Sequence, residues 1–436
     1  MSPLTSHRSS SLLAGVLTAA AAASSTARAE PIDPAFPTVV VVGIPNTPAV
    51  GERLDRERTG RSNVAIPAQL SEGLRRSIGA IGQSPVVHPD GSFTVALTSP
   101  ELIRISKDGS DVGRTSLGSS PAVRAPVLLP NGSLAVLTGA PSLVFVSTTG
   151  KVTATIALPR ATFGVVQPGM GMAEGVASIV ATEDGAVVVA ANRSVIELDA
   201  SSKVRMKVSL PERLVSDLLP HHGGWLAVTE VGNVYRIDPP SEPRKIGSLG
   251  SIVPGTAALL DDRTLVGQSP PNRIVALDLK SGSLVTRVGD SIFTFFDAPP
   301  SFGVDGGAWV TTSEGFLVGY DAAGNEVARA AADRGAALLT PSFMPGPRFP
   351  HHFGGPGPMN VARVPVLVDP LGRVAFARPN GRVGVRSEKG QTTTTDRGCG
   401  TPLALVPLAK ERVVLACRDG TLVFYEPPAD EPAPKP

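Results

Sequence analysis

The side chains with the strongest intrinsic chemistry in this chain are two adjacent histidine pairs, His221-His222 and His351-His352. A neutral imidazole binds metals and titrates near neutral pH. Neighbours along a strand point to opposite faces, so neither pair chelates one ion unless the backbone bends, and metal sites draw ligands from several elements. His221 and His222 fall in a turn, where solvation is the plain reading. The carboxylates Glu174, Asp217, Glu230 and Asp297 are scattered along the chain without a shared motif. Gly169-x-Gly171 lacks the following helix of a phosphate loop, and no Gly-x-Ser-x-Gly elbow occurs. Motifs therefore assign no catalytic, metal or cofactor residue.

Whatever site exists must be positioned by a unit of roughly forty residues that recurs eight times. Each copy joins an apolar strand, a tight turn and a second apolar strand. Val86-Val87-His88-Pro89-Asp90-Gly91-Ser92-Phe93 and Val127-Leu128-Leu129-Pro130-Asn131-Gly132-Ser133-Leu134 are nearly literal repeats. The turn positions align at Gly91, Gly132, Gly185, Gly224, Arg263, Gly306, Gly372 and Glu411, with spacings of 41, 53, 39, 39, 43, 66 and 39 residues. A unit of this length holds four short strands, here lettered A to D. The expected fold is all-β, an eight-bladed β-propeller of four-stranded antiparallel blades. Alternation within strand B, with Phe93, Val95 and Leu97 on one face and Ser92 and Thr94 on the other, supports the strand assignment.

A ring of blades must close, or unpaired backbone edges invite aggregation. The last unit runs out after Thr421–Tyr425 into a Pro-rich stretch that cannot pair. Gly73 to Gly79 precedes blade 1 as Val112 to Leu117 precedes blade 2, so this early segment is expected to complete blade 8. The organisation is then a leader over 1–29, an N-terminal extension over 30–72, the propeller over 73–426 and a disordered tail over 427–436. The extension holds a strand candidate at Thr38 to Val42 and a charged stretch, Glu52 to Arg61, read as a solvated loop. Cys399 and Cys417 are the two cysteines. If residues 401–407 and 412–417 are the first strands of the last blade, Cys399 lies opposite the end where Cys417 sits and a disulfide can form. Two unrelated free thiols are the alternative.

The long spacings locate insertions between strand D of one blade and strand A of the next. One carries Phe163, Met170 and Met172; the larger carries Phe343, Phe349, His351, His352 and Phe353; a third connection carries Phe293, Phe295 and Phe296. Propeller geometry sends all three to one face. Adaptable Met and Phe side chains there suit a protein or peptide partner, so these residues are the partner-binding candidates. The same side chains could instead fold back over the blade tops, or line a small-molecule pocket.

With 40 basic and 38 acidic residues the chain has no field for gathering phosphates, and nucleic acid is not an expected partner. His7 and Arg8, an apolar run from Leu12 to Ala23 and Ala27-Arg28-Ala29 read as a secretory signal cut after Ala29. That run is shorter than the roughly 20 residues that span a bilayer. A soluble periplasmic or secreted monomer is expected, in a compartment that permits disulfides.

Ala276-Leu277-Asp278-Leu279-Lys280-Ser281-Gly282-Ser283-Leu284-Val285-Thr286 resembles the repeat of the quinoprotein-like propellers related to pyrroloquinoline quinone enzymes, Ala-x-Asp-x-x-Thr-Gly-x-x-x-Trp. Ala276, Asp278 and Gly282 match, Ser281 replaces Thr, and Thr286 stands in place of the Trp. The resemblance implies either a quinone-dependent dehydrogenase or a non-catalytic member such as the outer-membrane assembly propellers. The enzymes of that family stack the quinone against a vicinal disulfide, and this chain has no adjacent cysteines. The expectation is an exported, non-catalytic propeller that binds an envelope protein or peptide as a scaffold, with no cofactor. The alternative is a propeller enzyme with a channel-mouth site, either a calcium-dependent lactonase-like hydrolase or a quinone-dependent dehydrogenase.

Overall fold

Short apolar strands separated by tight turns fold, in the computed structural model, into eight four-stranded antiparallel sheets arranged in a ring. The structure describes residues 60–159, 178–238, 241–270, 273–288, 296, 298–312, 315–331 and 364–428. Blade 1 consists of Val86–Val87, Phe93–Ala96, Glu101–Ile105 and Asp111–Ser116, and blade 2 of Val127–Leu128, Leu134–Thr138, Ser142–Val146 and Val152–Ala157. The A–B turns need backbone that glycine adopts without strain: Gly91 and Gly132 both sit at φ +80°. Blade 4 departs from the expected alignment. Its turn is His222-Gly223, at φ +46° and +75°, and Gly224 already opens strand B, Gly224–Val228.

The ring closes as the repeat requires. Ser71–Ser77 pairs antiparallel with Thr421–Glu426, placing Leu74 opposite Phe424 and Arg75 opposite Val423. The strand starts two residues before the expected boundary and carries a bulge at Gly73. It is strand D of blade 8, so the first and last strands of the ring lie in one sheet.

The hydrophobic core is divided among the gaps between blades. Val87, Phe93 and Ile103 of blade 1 pack against Val406, Val414 and Phe424 of blade 8. On the other face of blade 1, Val86, Ala96 and Leu102 pack against Leu128, Leu134 and Val144 of blade 2. Each middle strand is thus covered on both faces. The alternation in strand B is therefore between two covered faces: Phe93, Val95 and Leu97 share one cluster, and Thr94 is also buried, with its Oγ1 2.7 Å from His88 Nε2.

Candidate functional site

The A strands are the inner strands of the ring, each beside the A strand of the next blade, as Val86–Val87 is beside Val127–Leu128 and Ser301–Phe302 beside Leu367–Val368. The N-terminal extension covers the inner edge of one of them. Arg61 bridges Val368 in parallel, Ser62 N donates to Val368 O at 2.7 Å, and Val368 N donates to Gly60 O at 3.3 Å. The segment therefore adds to the inner edge of blade 7 and runs from the D–A face of the ring towards the face of the A–B turns. Arg61 extends this contact sideways: Nε donates to Phe302 O at 3.1 Å in blade 6 and Nη1 to Leu260 O at 3.4 Å in blade 5. Arg61 is half-buried, which corrects the reading of it as part of a solvated loop. Thr38 to Val42 and the rest of the charged stretch before Gly60 lie outside the described residues.

The same strap is held at its exit by a buried carboxylate. Asp369, 2% exposed, accepts Ile66 N at 3.0 Å, and Arg373 Nη1 donates to Ile66 O. Burial pushes the Asp369 carboxyl above its ordinary pKa, against the hydrogen bonds from Ile66, Arg373 and Leu371. The strand-pairing pattern explains why: a short inner strand leaves its backbone groups unmatched, and buried polar groups find partners.

Arginine and histidine side chains fasten neighbouring blades at the A–B face. Arg104, on strand C of blade 1, donates to Ser92 Oγ at 2.8 Å, to Asp90 Oδ2 at 2.8 Å and across the gap to Thr148 O of blade 2 at 2.6 Å. Arg236 holds the same register in blade 4. It donates to Asp238 Oδ1 at 2.5 Å and to His221 Nδ1, while His221 Nε2 reaches Asp262 O of blade 5 at 2.7 Å. His221 is thus a half-buried fastening at the end of strand A, which corrects its assignment to a solvated turn; His222 is the exposed turn residue. His88 stands at the equivalent place in blade 1, where burial, followed by the nearby Arg104 charge, pushes its pKa down to about 4. Burial also lowers His221. Repetition of Arg104 and Arg236 at one strand-C position was the signal in the sequence, but only the register makes it visible.

Cys399 and Cys417 form a disulfide with Cα atoms 6.4 Å apart. Strands Pro402–Leu408 and Arg412–Cys417 pair with Pro402 opposite Cys417, so the expected hairpin brings the two together. Cys399 N also donates to Gly381 O of blade 7 at 3.2 Å, and the bridge secures the connection between the last two blades.

The long connections 160–177, 289–297 and 332–363 leave strands Val152–Ala157, Leu284–Val288 and Glu326–Ala331 and return to strands Ser178–Ala181, Ser301–Phe302 and Leu367–Val368. All three join a D strand to the following A strand, so their anchors stand on one face. Of the partner-binding candidates, Phe163, Met170, Met172, Phe293, Phe295, Phe343, Phe349, His351, His352 and Phe353 lie outside the described residues. Phe296 is described: it bridges Thr312 and packs half-buried against the cluster between blades 5 and 6. Asp217 is buried and Glu230 exposed, while Glu174 and Asp297 lie outside the described residues. Among the described residues there is no group of three metal-ligating side chains, and no helix is long and apolar enough to cross a membrane.

Ring, channel and anchors set the frame for comparison with known proteins. BamB from Moraxella catarrhalis superposes with a TM-score of 0.55 at 13% identity, over 84% of this chain and 99% of that one. The computationally designed Ika8 protein also gives 0.55 at 13% identity, over 80% and 96%. What they share with this chain is the propeller fold. Streptogramin B lyase matches at a TM-score of 0.45 and 12% identity, over 82% and 97%. No protein-family model matches the chain, and no curated protein matches it in sequence.

Proposed function

We propose that the protein is an exported, non-catalytic propeller that binds another protein as a scaffold module of the cell envelope, in the periplasm or after secretion. The observation that carries this reading is the anchoring of the three long D–A connections on one face. Those connections hold seven of the chain's 14 Phe and four of its 6 Met. Loops on a rigid scaffold are where binding function concentrates, and clustered Phe and Met adapt to a polypeptide surface. The strap at Gly60–Ser62 supports the same reading, since it takes inner-edge backbone at the channel where a propeller could receive a small ligand. Support for export comes from the signal-like first 29 residues, and support for a scaffold role from the sequence resemblance to the assembly propellers.

The test is site-specific crosslinking in intact cells, with a photoreactive residue at Phe295 or Phe349 and, as controls, at the exposed rim residues Val112 and Val327. The expected result is a discrete adduct with one envelope protein from Phe295 and Phe349 alone. Equal, diffuse labelling from all four positions would overturn the reading. Deleting residues 1–29 should leave the protein in the cytoplasm on fractionation.

A further inference from the structure

Every blade presents its D strand to the rim as a sheet edge, and such an edge is a template for pairing with another chain unless charge or shortness blunts it. Six of the eight rim strands carry charge: Arg114, Lys207, Lys245, Arg287, Arg329 and Arg76 stand in blades 1, 3, 4, 5, 6 and 8. A seventh, Thr392–Thr394 in blade 7, is only three residues long. Val152–Ala157 of blade 2 has neither protection. It contains no charged residue, proline or glycine, and its one irregularity, at Thr153, leaves Ala154 to Ala157 in regular register.

The ladder fixes which backbone groups of this strand are free. Leu158 N donates to Pro141 O at 2.8 Å, and the register sets Ala157 opposite Ser142, Ile156 opposite Leu143 and Thr155 opposite Val144. Hydrogen-bonded and non-hydrogen-bonded pairs alternate along an antiparallel ladder, so Ile156 bonds inward while Thr155 and Ala157 turn N–H and C=O outward. Both residues are exposed. On one face of the strand, the half-buried Ala154 and Ile156 pack against the apolar cluster between blades 2 and 3, in which Leu158 is buried. That cluster therefore reaches the rim as an aliphatic row.

We propose that Val152–Ala157 pairs antiparallel with the same strand of a second copy, joining two blade 2 sheets into one across a two-fold axis at Ile156. The two-fold sets Thr155 opposite Ala157 of the second copy and Ala157 opposite its Thr155, so the outward groups of both residues are matched in two hydrogen-bonded pairs. Ile156 then meets Ile156 in the close pair between them, and Ala154 meets Leu158, which continues the aliphatic row from one copy into the other. No charged residue falls within the paired span, so the like-charge repulsion that penalises a strand matched with itself is absent. A two-fold dimer replaces the monomer expected from the sequence. The contact lies on the rim and leaves the D–A face free, so its failure would leave the reading of that face standing.

Sedimentation equilibrium of the full chain should show the mass rising with concentration towards that of two chains, and amide exchange at Thr155 and Ala157 should slow over the same range. Thr155→Pro removes an outward N–H, at a place where an edge strand tolerates proline, and should weaken the dimer roughly tenfold, about 1.4 kcal/mol. Thr155→Lys gives blade 2 the charge its siblings carry and should do the same, which keeps the test valid if the proline variant fails to fold. Val327→Lys, on the exposed rim of blade 6, should leave association unchanged. A chain that stays monomeric at every concentration, or a dimer that survives Thr155→Lys, would overturn the proposal.

Discussion

Blades 1 and 2 are the closest copies in the sequence, yet the gaps that follow them differ. After blade 1, Arg104 is held by Asp90 and Ser92 of its own blade and crosses the gap with one hydrogen bond to Thr148 O of blade 2. After blade 2, Phe145 occupies the same register, and a cleft remains. Apolar packing deeper in the gap is similar in both places: Leu102 and Val144 share one cluster, and Leu143 and Val189 another. Packing thus stacks the blades in both places, while the strand-C residue, Arg104 in one and Phe145 in the other, sets whether a side chain crosses the A–B face of these two gaps.

Loss of the other kind of fastening, the covalent one between the last two blades, should have the largest effect. The Cys399–Cys417 bridge closes a loop of 18 residues, and its removal in Cys417→Ala is expected to cost about 3 kcal/mol in urea unfolding. Retention of the parent midpoint after reduction would show that the hairpin alone holds this gap. The fastened gap of blade 1 should weaken in acid by a similar amount. Because the folded His88 pKa is depressed from 6.5 to about 4, the unfolded chain takes up the proton first as pH falls. Stability from this group is present above pH 6.5 and is lost between there and pH 4, reaching about 3 kcal/mol by linkage. Comparing His88→Gln with the parent across this window isolates the effect from the carboxylates; parallel curves would refute it.

A smaller effect is expected from making blade 1 resemble blade 2. Arg104→Phe should cost about 2 kcal/mol in urea unfolding, the range for charged hydrogen bonds. Smallest is Arg61→Ala, which removes two donors from carbonyls of blades 5 and 6 and should cost about 1 kcal/mol. Hydrogen exchange there should quicken at Ser62 and Val368 and stay unchanged at Val127.

The repeat was legible because its signals are local. Apolar pairs, the Asp-Gly and Asn-Gly turns and forty-residue spacing specify a blade without reference to any other blade, and the Leu74–Phe424 closure follows from counting strands. Arg61 was not legible, since a lone arginine in a charged stretch gives no sign that its acceptors lie 199 and 241 residues away. His221 looked like a turn residue because the blade 4 hairpin is shorter than its siblings, which shifts the alignment at Gly224. The cleft was hidden for a different reason. Phe145 reads as ordinary core, and only the register shows that it stands where blade 1 has Arg104.

Because residues 60–62 lie along the inner edge of blade 7 while 71–77 form the outer strand of blade 8, the chain passes from hub to rim within ten residues or so. The wheel must therefore be assembled around its own axle pin. Strand 421–426 locks against an early segment, and a nascent chain lacking it holds residues 71–77 without their partner, while the strap before them already has its seat on Val368, Phe302 and Leu260.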